Sequence, residues 1–137
     1  MDQPSPSTLK WFSALVGLTS LAIFVQAVTA GEFVSQKNRG GWISAHDIVS
    51  DAVAVLALAL AIFTIVRLRK ASRPLLVGSI VLLVLVVIQI VLGHQITDNK
   101  QDWLIGIHVP LAFIIFGIAV WLPINAVALR RAGAKSA

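Results

Sequence analysis

"PLLVGSIVLLVLVVIQIVLG", residues 74–93, is a run of 20 residues without a charge. At about 1.5 Å of rise per residue, a helix of that length crosses a hydrocarbon core ~30 Å thick. Three further segments, residues 9–30, 43–66 and 103–128, reach the same length. The chain of 137 residues is 58% hydrophobic and only 12% charged, with a mean hydropathy of +0.90. A soluble domain of this size could not hide so much apolar surface, so its solvent is lipid. The connections are short, which favours antiparallel neighbours. The expected fold is therefore all-α: one antiparallel four-helix transmembrane bundle over residues 9–128. Residues 1–8 and 129–137 are expected to form cytoplasmic tails, disordered over 1–8 and 131–137.

The charges give the bundle a direction. Lys10, Arg67, Arg69, Lys70, Arg73, Arg130, Arg131 and Lys135 fall on one side, with Asp2 as the only acid there. Lys37, Arg39 and Lys100 share the other side with Glu32, Asp47, Asp51, Asp98 and Asp102. By the positive-inside rule both termini are cytoplasmic and the protein belongs to the cell (inner) membrane. Trp11 and Trp121 mark the inner boundary, and Trp42 and Trp103 the outer one, as an aromatic belt would. The stretch "VTAG" (28–31) has the look of a signal-peptidase site, but the apolar run before it is longer than a typical signal core. A retained anchor is the expectation. The second and fourth segments each open with a Trp followed shortly by a His, and no stronger internal repeat is legible.

Several function classes fall away. With no cysteine there are no disulfides, thiolate metal sites or cysteine nucleophiles. The net charge of +5 and pI near 10.5 come from residues flanking apolar runs, so the basicity is topological and implies no nucleic-acid partner. No phosphate-binding loop, nucleophile elbow or metalloprotease helix is present, so an independent enzyme is not expected.

The polar residues inside the spans carry the remaining information. His46, His94 and His108 lie 21, 21 and 22 residues from Arg67, Arg73 and Arg130. That places all three at one depth, near the outer boundary. Below His46 a stripe of Ser50, Val53, Ala57, Ala61 and Thr64 is expected on one helix face, and below His108 a stripe of Ala112, Ile115 and Ala119. Small residues let helices approach closely or leave a slot for something flat. Pro110 is expected to open or bend the start of the fourth helix, where Gly106 adds slack.

Three readings compete. His46 and His108 could bind the two faces of a haem iron, with the macrocycle against Ala57 and Ala112 and its propionates near Lys37, Arg39 or Lys100. The histidines could instead be ordinary interfacial residues, bonded to headgroups, water or backbone. They could also join Asp47 or Asp51 around zinc, although no tight ligand pairing is present. Asp47 reads as an acid at a helix start, favoured by the dipole. Asp51, deeper in the second span, must be protonated, hydrated or paired. A polar cluster of Asp51, Gln26 and Gln89 is expected to satisfy it.

The stretch "VIQIVLGHQITDNKQDWLIGIHVPLAFIIFGIAVWL" (87–122) resembles one four-helix half of the haem A synthase family and related small bacterial four-helix membrane proteins. The likeness rests on Gln89, Leu92 and Gly93 as Q-x-x-L-G, on His108 early in the fourth helix, and on His46 early in the second. What it implies is b-type haem held by the facing histidines of helices two and four in the outer half of the membrane. The chain holds one such half, and Ile43 stands where that family has a glutamate. The resemblance thus implies electron transfer, for instance with a quinol pool, or haem handling, rather than haem A synthesis. From another class comes the alternative of a haem-free accessory or structural subunit packed beside a larger membrane or respiratory complex.

Overall fold

The computed structural model describes residues 4–37 and 39–135. Its helices are α1 (Pro6–Ser35), α2 (Gly40–Arg67), α3 (Arg73–Thr97) and α4 (Ile105–Lys135), with a 3₁₀ turn at Asp102–Leu104 before α4. All four are long and apolar enough to cross a membrane, so the chain is a multi-pass four-helix bundle. Each helix packs on its sequence neighbours, and α1 closes the ring against α4. Among the described residues the backbones of the diagonal pairs α1/α3 and α2/α4 do not come close. An even number of antiparallel spans puts both chain ends at one end of the bundle.

Helices outrun the apolar segments where caps allow it. Ser5 accepts from the Thr8 amide ahead of Pro6, and Ser72 accepts from the Leu75 amide ahead of Pro74. Each cap satisfies one of the free amides of a first turn, and proline there forfeits no helical bond. Residues 6–8 are accordingly helical rather than a disordered tail, and α4 continues through residues 131–135. The rest of the two expected tails, 1–3 and 136–137, lies outside the described residues. Pro110 and Pro123 both lie inside α4, which runs on through each without a break.

The core is a seam with a repeat of 3.5 residues. Phe12, Val16, Thr19 and Ile23 are buried on α1, and Val53, Ala57, Leu60 and Thr64 on α2. Leu75, Ser79, Leu82 and Val86 are buried on α3, and Ile115, Ala119, Leu122 and Ala126 on α4. Steps of three and four residues keep one stripe facing the partners in a left-handed supercoil. These seams also match one another. Each α1 residue has its α3 counterpart 63 positions on, and each α2 residue its α4 counterpart 62 positions on. The two hairpins are thus repeats of burial, with little identity of sequence to advertise it.

Lipid is as apolar as leucine, so close packing and interhelical hydrogen bonds hold such a bundle together. A Cβ at Gly78 would come within 2.8 Å of the Trp121 ring and 2.9 Å of Leu122, so glycine sets the α3–α4 approach there. The Thr64 hydroxyl, shared with its own Leu60 carbonyl, reaches Ser79 Oγ (3.1 Å) between α2 and α3, and the Ser20 hydroxyl, shared with its own Val16 carbonyl, reaches the Ala119 carbonyl (3.1 Å) between α1 and α4.

Candidate functional site

Toward the end of the bundle away from the termini, the apolar seam gives way to a polar layer. Continuing the 3.5-residue step brings up Gln26 on α1, His46 on α2, Gln89 on α3 and His108 on α4. Every helix thus contributes one hydrogen-bonding side chain at the same level, and all four are half-buried. The two imidazoles lie within electrostatic reach of each other across the α2/α4 diagonal.

His46 is held on every side by α1. Gln26 Nε2 lies 2.9 Å from His46 Nε2, and Thr29 Oγ1 lies 3.1 Å from His46 Nδ1. The Phe33 ring meets the imidazole edge to face, with centroids 5.3 Å apart. Residues 26, 29 and 33 follow helical steps of three and four, which is why one helix can supply all three contacts. The ring of His108 is treated differently. Gln89 Nε2 donates to the His108 backbone carbonyl (2.9 Å) rather than to its ring. His108 Nδ1 is sealed from solvent with no partner, as are Gln26 Oε1 and Gln89 Oε1. Three orphaned polar atoms in one layer are conspicuous, because buried polar groups are nearly always bonded. Beside the His108 ring, Gly93 leaves space: a Cβ there would stand 3.6 Å from Cε1.

Several expectations need correction. Asp51 does not join Gln26 and Gln89. It is exposed on the outer surface of α2, because the inward stripe runs through Ser50 and Val53. Gln26 and Gln89 serve the two histidines instead. Asp47 is not a helix-start acid: α2 begins at Gly40, roughly two turns earlier, beyond the reach of the terminal dipole. Ala57 is fully buried on the seam, but Ala112 is exposed, because the α4 seam steps from His108 through Leu111 to Ile115. His94 is exposed and bonded to Asp98 (3.2 Å), one turn along its own helix. Among the described residues no three His, Cys, Asp or Glu side chains come together to hold a metal ion, so the three-histidine zinc site is not assembled. Thr29 and Phe33 were missed. The signal for them was their register with Gln26, visible only once the inward face of α1 is known.

The donor set itself is compatible with haem iron. Two imidazoles come from diagonal helices at one level of the bundle, with unpaired acceptors in the same layer. Two apolar grooves lie elsewhere, one lined by Trp11, Ala14, Leu15, Leu18 and Phe63 and the other by Ala59, Ile62, Phe63, Val66 and Arg67. Neither includes a histidine. Comparison with protein-family models, with curated proteins and with solved structures finds no match for this chain.

Proposed function

We propose that this protein binds b-type haem between His46 and His108 and serves one-electron transfer or haem handling in the membrane. One observation carries the reading: histidines from diagonal helices stand at one level of the bundle in a half-buried polar layer whose hydrogen bonding is incomplete. The resemblance of residues 87–122 to a haem A synthase half points the same way. When bound, haem would supply a one-electron couple within a largely apolar bundle. His46 and His108 would hold its iron. Gln26 and Gln89, whose carbonyl oxygens lack partners, would accept hydrogen bonds within the layer. Ala57 would belong to the small-residue wall beneath His46.

The charge asymmetry supports an orientation with both termini cytoplasmic and the histidine layer near the outer face. A quinol within the bilayer and an extracytoplasmic acceptor are then the natural classes of redox partner. The test is an absorption spectrum of the detergent-solubilised protein expressed with ample haem. A Soret band that shifts on reduction, and is lost in His46→Ala and in His108→Ala, is the expected result. A colourless protein that copurifies stoichiometrically with a larger assembly would replace this reading with that of an accessory subunit.

A further inference from the structure

The hydrogen-bond ledger around His46 fixes more than its position. Thr29 is buried, with 5% of its surface exposed, and its hydroxyl carries a single proton. The Gln26 carbonyl, 2.9 Å away, is the nearest acceptor for that proton. With its proton there, Thr29 Oγ1 offers only lone pairs to His46 Nδ1 at 3.1 Å, an arrangement in which Nδ1 carries the hydrogen. In a neutral imidazole this leaves the lone pair on Nε2, and the Gln26 amide meets it there as a donor at 2.9 Å. The nitrogen a metal would use is thus kept unprotonated and aimed by its surroundings, with a glutamine N–H standing in.

The repeat supplies an internal control. The position 63 residues after Thr29 is Leu92, which has no hydroxyl, and the ring of His108 finds no partner for Nδ1. One histidine has its orienting acceptor and its counterpart lacks one, in the same bundle and the same layer.

We propose that Thr29 is a positioning residue, which holds the Nδ1–H tautomer of His46 so that Nε2 is presented as a ligand, with Gln26 as a displaceable cover. The ligand role rests on the haem reading, whereas the tautomer does not. The test uses the full-length, haem-free protein in detergent, with the histidine ring nitrogens followed by ¹⁵N NMR in wild type, Thr29→Val and Thr29→Ser. Wild type and Thr29→Ser should show His46 protonated at Nδ1, and Thr29→Val should shift the population toward the Nε2–H form. Haemin titration of the same samples should show binding weakened on the order of 10- to 100-fold in Thr29→Val and restored in Thr29→Ser. Leu92→Thr should bring the His108 ring toward the Nδ1–H form.

Wild-type His46 protonated at Nε2, or a Thr29→Val spectrum identical to wild type at unchanged helical content, overturns the proposal. So does haemin affinity that is indifferent to a shifted tautomer. A tautomer that shifts as described in a protein that takes up no haemin sinks the haem reading and leaves the orienting role of Thr29 standing.

Discussion

At the scale of single residues, what matters is which neighbour a side chain meets, and glycine shows it most plainly. Gly78 faces Trp121 and Leu122 at distances that no Cβ tolerates, whereas Gly93 has ordinary van der Waals space before His108. Gly78→Ala should therefore cost about 1–3 kcal/mol by overpacking. Gly93→Ala should leave stability nearly unchanged, as read by thermal unfolding of both variants in one detergent. Equal loss in the two would mean that the α3–α4 approach is not set at Gly78. Asp51 makes the opposite case. It stands outside the polar layer, so Asp51→Asn should change unfolding by less than about 0.5 kcal/mol, the range of substitutions remote from any packed feature. A large loss in that melt would restore it to a structural cluster. Counting along the helices put Gln26, Gln89, His46 and His108 near one end of their spans, and in the bundle they share one level. It could not tell that Gln26 serves His46 rather than Asp51, since depth along a helix is legible from counting and azimuth is not.

At the scale of elements, the helices are joined by few polar contacts, each between defined partners. The Thr64 hydroxyl donor is shared between its own Leu60 carbonyl (2.6 Å) and Ser79 Oγ (3.1 Å), and Ser79 donates to the Leu75 carbonyl, so the two hydroxyls link α2 to α3 at a fully buried point. Thr64→Val keeps the shape and removes that donor. The expected loss is about 0.6 kcal/mol, the average for an interhelical hydrogen bond in a membrane protein, because the helices separated in lipid also find partners. A double-mutant cycle with Ser79→Ala measures it directly, and a coupling indistinguishable from zero would remove this bond from the account. The limits of sequence reading at this scale are equally physical. Apolar runs marked the four spans, yet α1 and α4 extend well past them, because capping by Ser5 and continuation through residues 131–135 do not depend on hydropathy. Ala112, assigned inward on a four-residue step, proved exposed, and Leu111 takes the inward place between His108 and Ile115.

At the scale of the whole molecule, the absence of cysteine makes topology directly measurable. In intact cells, Lys37→Cys and Asn99→Cys should react with a membrane-impermeant thiol reagent, while Lys70→Cys should react only after permeabilisation. The reverse pattern would put the histidine layer on the cytoplasmic face and remove an extracytoplasmic redox partner. The number of spans, their order and the placing of both termini at one end were decided by the sequence alone. Crossing a bilayer depends on the local length of apolar chain, and charge on either flank adds a preferred direction. Only the tertiary structure decided which side of each helix turns inward. Lipid rewards an apolar residue on every face equally, so hydrophobic pattern marks no interior here, and the choice falls to packing of small residues and to the few polar groups that must find each other. The matched seams of the two hairpins, the layer of two glutamines and two histidines, and the hydroxyl of Thr29 against His46 all follow from that choice.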